Sequence, residues 1–96
     1  MAQTTILASG TSAGVSSDIT LIQGETRTVG IFHAAGDEPP DACCLTIYID
    51  TPGEDRKIGV LNKAVPALVI SGPGTFRIRR PDISQYGVSV GVFTEG

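Results

Sequence analysis

The segment Cys43-Cys-Leu-Thr-Ile-Tyr-Ile-Asp50 has the strongest strand pattern in the sequence. Large aliphatic residues recur at every second position, at Leu45, Ile47 and Ile49, and polar or aromatic residues lie between them. With a two-residue period, successive side chains lie on opposite faces of a strand. The sequence therefore predicts a strand with one aliphatic face in a core and one face outside it.

The residues that follow predict a hairpin. Thr51-Pro-Gly-Glu54 fits a type II turn, because Pro52 suits its second position and Gly53 supplies the positive φ of its third. Residues 56–62 then return as a strand. We expect these two strands to pair with each other.

Similar β-rich runs occur on both sides of this hairpin, separated by links that contain Gly or Pro. The link around Gly24 is short and predicts a second hairpin between residues 18–22 and 26–33. Pro81 begins a loop or a single helical turn. The predicted strands outside the central hairpin are residues 18–22, 26–33, 67–71, 75–80 and 88–94, and residues 4–8 form either a strand or part of an arm.

The composition agrees with a sheet protein. Val, Ile and Thr together number 28, whereas Leu and Ala together number 13, and β-branched residues fit a pleated sheet better than a helix. We expect an all-β fold: a single β-sandwich, Ig-like or jelly-roll-like, of about seven to eight short antiparallel strands. The Gly/Ser/Thr-rich residues 1–15 are expected to form a flexible N-terminal arm, and residues 16–96 the sandwich domain.

The overall charge argues against two classes of partner. A net charge of −3 gives neither nucleic acid nor an anionic membrane surface a basic field to bind. The first residues have no basic segment followed by an apolar stretch of signal length, and no window is long and apolar enough to span a bilayer. We therefore expect a protein made in the cytoplasm, with no nucleic-acid or membrane partner.

Reactive side chains are scarce. His33 is the only histidine and has no recognisable nucleophile motif to serve. The adjacent Cys43 and Cys44 point to opposite faces of a strand, so we interpret them as two reduced cysteines. One histidine and two adjacent cysteines do not supply a zinc site. We expect no catalytic residue, no metal and no cofactor, and the chain is not expected to be an enzyme.

Three arginines form the most distinctive charged feature. Arg77 and Arg79 are two apart and share a face of their strand, and Arg80 follows them. Arginine is enriched at protein interfaces, so all three are candidate contacts for a partner. The alternative is that they keep a strand edge soluble.

The loop over residues 34–41 is a second candidate contact. Its Pro-Pro pair stiffens it, and a stiff loop loses less entropy on docking. Asp37 and Glu38 are its candidate contact residues. The alternative is a connection with solvated acidic side chains.

A resemblance to a known class of proteins rests on the order of four segments. These are Gly24-Glu-Thr-Arg-Thr-Val-Gly-Ile-Phe, Ile49-Asp-Thr-Pro-Gly, Gly72-Pro-Gly-Thr-Phe-Arg-Ile-Arg-Arg-Pro81 and Gly87-Val-Ser-Val-Gly-Val-Phe93. The chain resembles the small β-rich head decoration (cement) proteins of tailed bacteriophages over about three-quarters of its length. No single motif among the four is diagnostic.

The resemblance implies a non-enzymatic virion structural protein on the capsid exterior. It would bind the major capsid protein across subunit boundaries and stabilise the head, as a homo-oligomer, with a trimer as the implied number. An N-terminal arm would help to clamp the shell, which makes Thr4, Thr5 and Ile6 candidate contacts.

Two alternatives remain open at this point. One is a tail or fibre component of the same kind of particle. The other is a carbohydrate-binding β-sandwich module, although the chain has no Trp and only five aromatic residues to offer as a platform for a sugar.

Overall fold

The computed structural model describes residues 3–36, 38–40 and 42–96. These residues form nine strands and one short 3-10 turn at Ser84–Tyr86. The strands are β1 (Gln3–Gly10), β2 (Gly14–Val15), β3 (Ile19–Leu21), β4 (Thr26–Phe32), β5 (Leu45–Thr51), β6 (Glu54–Leu61), β7 (Ala67–Ser71), β8 (Gly74–Arg80) and β9 (Val90–Glu95).

The strands form two antiparallel sheets. The four-stranded sheet has the order β1-β9-β4-β7. The five-stranded sheet has the order β2-β8-β5-β6, and β3 pairs with β8 beside β2. The inward residues of both sheets form one hydrophobic core, which includes Leu45, Ile47, Phe76, Ile78 and Val92. The predicted all-β sandwich is confirmed.

The central hairpin is confirmed in detail. β5 pairs with β6, from Leu45 opposite Leu61 to Thr51 opposite Glu54. Gly53 has φ 96°, the positive value that the predicted turn requires. One irregularity was not predicted: the register shifts next to Ile47, so that β6 carries a bulge at this point.

The second predicted hairpin is wrong. β3 pairs with β8 of the five-stranded sheet, whereas β4 pairs with β7 and β9 of the four-stranded sheet. The turn at Gly24 (φ 88°) therefore carries the chain from one layer to the other. Leu21 and Val29 are both buried, and they reach the core from opposite sheets. Burying the apolar faces of β3 and β4 in two different sheets is therefore more favourable than pairing these two strands with each other.

The N-terminal segment also differs from the expected arm. β1 pairs with β9 along most of its length, from Gln3 opposite Glu95 to Gly10 opposite Val90, with two register shifts. β2 pairs with the end of β8. Within the described residues 3–15, this segment therefore contributes one strand to each sheet.

Two further observations concern features raised by the sequence. No helix in the described ranges is long and apolar enough to cross a membrane. The Cys43 thiol is fully buried as a small core residue, and its burial, with a smaller contribution from the neighbouring Cys44, raises its pKa.

Candidate partner interface

Arg77 and Arg79 lie side by side on the outer face of the five-stranded sheet. Their neighbours in β8, Phe76 and Ile78, are buried in the core, so the arginines project away from it. Across the ladder, Tyr48 of β5 is opposite Arg77. The two arginines thus occupy the centre of a broad sheet surface, between β5 and the edge formed by β2 and β3.

Three carboxylates surround the two guanidinium groups. Asp55 of β6 accepts from both arginines, with Arg77 Nη1 2.6 Å from its Oδ1 and Arg79 Nη2 2.9 Å from its Oδ2. Asp18 Oδ1 lies 3.1 Å from Arg77 Nε. Asp50 Oδ2 is more distant, 3.9 Å from Arg77 Nη2. This network defines a surface, the charged face: Asp18, Tyr48, Asp50, Asp55, Arg77 and Arg79.

The pKa directions follow from this network. The hydrogen bond from Arg77 is the largest cause that lowers the pKa of the Asp55 carboxyl below its ordinary value, and the charges of both arginines add to it. The hydrogen bonds to Asp55 and Asp18 raise the pKa of Arg77. Asp55 and Arg77 are therefore both charged near neutral pH.

Arg79 makes an additional contact with an aromatic ring. Its guanidinium carbon lies 4.6 Å from the centroid of the Tyr48 ring, within the range of a cation–π interaction. The side chain of Arg79 is 49% exposed, and those of Asp18 and Asp50 are 58% and 54% exposed. The charged face therefore holds its groups in fixed positions and still presents donors and acceptors to solvent.

Arg80 belongs to a different environment. It is 6% exposed and turned inward. Its Nη1 donates to the carbonyl oxygens of Ala8 (2.8 Å) and Val90 (2.6 Å), and its Nε donates to that of Ser12 (2.7 Å). Arg80 thus ties the N-terminal segment to β9. The interpretation of Arg80 as a partner contact is wrong, since its side chain is not available to a partner.

The remaining predicted contact residues lie in other places. Glu38 is exposed and forms an ion pair with Lys63 at 3.5 Å, while Asp37 lies outside the described residues. Thr4 and Thr5 are exposed and Ile6 is half-buried on β1, at the edge of the other sheet. Among the predicted contacts that the structure describes, Arg77 and Arg79 share one surface, and Glu38 and residues 4–6 lie elsewhere on the molecule.

An apolar groove was not predicted. It lies on the side of the sandwich where β6 and β7 are the edge strands of the two sheets, and its volume is about 290 Å³. Ile58 and Val69 on its rims are 49% and 65% exposed. Its lining residues are Ile47, Ile58, Gly59, Leu68, Val69, Ile70, Ser71 and Phe76. The uncharged run Ala67–Ser71 was the signal in the sequence, but nothing local showed that it would be an edge strand.

Groups with chemical reactivity are sparse in this arrangement. His33 is exposed at the end of β4, with Nδ1 3.0 Å from the carbonyl oxygen of Ala34. Among the residues that the structure describes, no three His, Cys, Asp or Glu side chains are placed to hold a metal ion. The charged face can form ion pairs, hydrogen bonds and cation–π contacts, which are the interactions of a binding surface.

No protein-family model matches the chain, and neither a curated protein nor a solved structure matches it significantly.

Proposed function

We propose that this chain is a non-enzymatic structural protein of a tailed-phage virion, which binds the exterior of the head across boundaries between major capsid subunits. The resemblance in segment order supports the class of protein. The charged face carries the proposal for how it binds, because it offers a partner ordered groups of both signs on a rigid sheet.

The physical reason is preorganisation. A surface arginine normally loses rotamer freedom when it docks, and that loss weakens binding. Arg79 is already held by Asp55 and by the Tyr48 ring before any partner arrives. Arginine and tyrosine are also the residue types that most often dominate binding energy at protein interfaces.

The charge pattern fits a protein partner better than nucleic acid. Three aspartates surround two arginines on the charged face. A phosphate backbone would be repelled by the exposed carboxylates of Asp18 and Asp50. A protein surface with its own acidic and basic side chains can complement both signs.

The same geometry does not favour the carbohydrate alternative. A sugar stacks on an exposed aromatic ring, and Arg79 lies over the ring of Tyr48. The tail or fibre alternative differs only in the location on the particle, so it is an outcome of the experiment below.

Cosedimentation with purified undecorated capsids tests the proposal. We expect the wild-type protein to pellet with capsids, and Arg79→Glu to weaken binding by at least tenfold, because it places a carboxylate beside Asp55. Arg56→Glu is the matched control: Arg56 is opposite the core-side residue Ile49, so the same change in charge lies off the charged face. Binding to isolated tails but not to capsids, or equal losses in the two variants, would contradict the proposal.

A further inference from the structure

The β7 strand differs from the other edges of the sandwich in lacking protection against pairing. Proteins commonly protect edge strands with charges, bulges or very short length. β6 carries four charged residues, Glu54 to Lys57, and a bulge. β1 is interrupted by two register shifts, and the opposite edge of the five-stranded sheet is formed by β2 and β3, which are short.

β7 has none of these features. Its sequence, Ala-Leu-Val-Ile-Ser, has no charge, and its pairing with β4 continues over five residues without a register shift. Val69 at its centre is 65% exposed. An apolar, regular and exposed edge strand is a template for another strand, so we expect it to be covered in the working assembly.

The hydrogen bonds at the two ends of β7 fix which backbone groups are open. The N–H of Ile31 donates to the carbonyl oxygen of Pro66, and the N–H of Gly72 donates to that of Glu25. Bonding direction alternates along an antiparallel strand. Leu68 and Ile70 therefore bond towards β4. Ala67, Val69 and Ser71 direct their N–H and C=O groups to the open side.

This spacing suits pairing of β7 with its own copy. With Val69 opposite Val69 of a second chain on a two-fold axis, Ala67 lies opposite Ser71 in both directions. Every outward N–H and C=O of the strand then has a partner. The absence of charge means that two identical strands meet without repulsion of like charges.

The same pairing covers the apolar groove. Leu68 and Ile70 line the groove from β7, and Ile58 and Gly59 line it from β6. A second copy of β7 would extend the four-stranded sheet past its present edge and place its own Leu68 and Ile70 over the open side. The interface is isologous, since the same patch of each chain contacts the other.

We infer that two copies of this chain associate through antiparallel β7–β7 pairing about a two-fold axis at Val69, to form a dimer with a continuous eight-stranded sheet. This inference does not depend on the proposed capsid function. It replaces the trimer that the resemblance implies with a two-fold assembly.

Light scattering coupled to size-exclusion chromatography tests the oligomeric state. We expect wild type to have twice the chain mass of 10.0 kDa, and Val69→Lys to have the mass of one chain, because two ammonium groups would meet at the axis. Ile22→Lys is the control, as Ile22 is 67% exposed and lies off β7; it should remain dimeric. A wild-type mass of one or three chains, or a dimeric Val69→Lys, would overturn the inference.

Cross-linking tests the register without weakening the interface. Residues directly opposite in a hydrogen-bonded antiparallel pair have Cα atoms about 5.5 Å apart, within the range of a disulfide. Mild oxidation should convert Val69→Cys to a covalent dimer. Wild type gives the background from Cys43 and Cys44, and Ile22→Cys gives the rate of random collision. Cross-linking of Val69→Cys no faster than of Ile22→Cys would exclude pairing at Val69.

Discussion

Arg79 and Arg80 are adjacent in the sequence and opposite in role, because a strand turns successive side chains to opposite faces. Arg79 is half exposed on the charged face, whereas Arg80 is buried and bonded to three carbonyl oxygens. Residue type alone does not distinguish them. Their positions relative to the core residues Phe76 and Ile78 distinguish them, and the sequence itself shows this alternation.

Arg80→Lys is expected to destabilise the protein by roughly 3 kcal/mol, because one ammonium group cannot reach all three carbonyl oxygens and buried acceptors are left without donors. Urea unfolding followed by circular dichroism measures this. Arg79→Lys on the same strand is the control, with an expected change within about 1 kcal/mol, as is usual for exposed ion pairs. Equal losses in the two variants would contradict the assigned role of Arg80.

Gly91 permits an aromatic ring to lie against the backbone of β9. Phe32 of β4 lies directly opposite Gly91, and a Cβ atom at Gly91 would lie 2.3 Å from the Cζ of Phe32. Gly91→Ala should therefore cost roughly 1–3 kcal/mol of stability through overpacking. At Gly59 of β6 the nearest atom to an added Cβ is 3.4 Å away, an ordinary contact.

Gly59→Ala is accordingly the matched control for Gly91→Ala. We expect it to change stability by less than about 1 kcal/mol, with a tendency to stabilise, since alanine restricts the unfolded chain. Thermal unfolding of both variants measures the difference. A loss at Gly59 as large as that at Gly91 would contradict the packing described for Phe32.

Asp55 should make stability depend on pH. Its pKa is lowered in the folded protein, mainly by the hydrogen bond from Arg77, from an ordinary value of 3.8. The folded state therefore binds this proton less readily than the unfolded state. The stabilisation of the folded state by ionised Asp55 is complete above the pKa that Asp55 has in the unfolded chain. It is lost as the pH falls through the lower pKa of the folded state. Unfolding measured from pH 6 to pH 2 should show a smaller loss for Asp55→Asn than for wild type; equal slopes would contradict this.

At the scale of elements, the sequence predicts a hairpin whose turn residues determine their own conformation. It does not predict pairing between strands that lie far apart in the chain. The β5–β6 hairpin follows from a turn whose residues determine their own conformation, and it was predicted correctly. The pairing of β1 with β9 joins the two ends of the described chain, and no local pattern specifies it. The link at Gly24 has the composition of a hairpin turn and instead connects the two sheets.

Hydrogen exchange tests the placement of β1. We expect the amides of residues 3–10 that bond to β9 to exchange roughly a hundredfold or more slowly than in an unstructured peptide, because they open only with the sheet edge. A flexible arm would exchange at the rate of the unstructured peptide. Arg80→Lys should speed exchange in β1 more than in β5, since Arg80 bonds to Ala8 and Ser12.

At the scale of the whole molecule, the sandwich presents two surfaces of different chemistry. The five-stranded sheet has the charged face, and the side between β6 and β7 has an apolar groove beside an open strand edge. The charged face was partly predictable, because Arg77 and Arg79 alternate with core residues. Asp18 and Asp55 were not assigned to it, since they reach β8 from distant segments.

These two surfaces can operate together. A dimer formed through β7 would carry two charged faces, one on each chain, and two linked weak sites bind a repeating lattice more tightly than either alone. A protein that binds the assembled shell and not the free subunits stabilises the shell by mass action. Each chain would then add a small stabilisation of the shell at every capsid-subunit boundary that it bridges.

Thermal disruption of undecorated phage capsids, with and without the added protein, measures whether this chain stabilises a phage head. Saturating wild-type protein should raise the temperature at which capsids break open, and the same concentration of Arg79→Glu should not. The result that would contradict it is an unchanged disruption temperature with wild-type protein at a concentration that saturates the capsid surface.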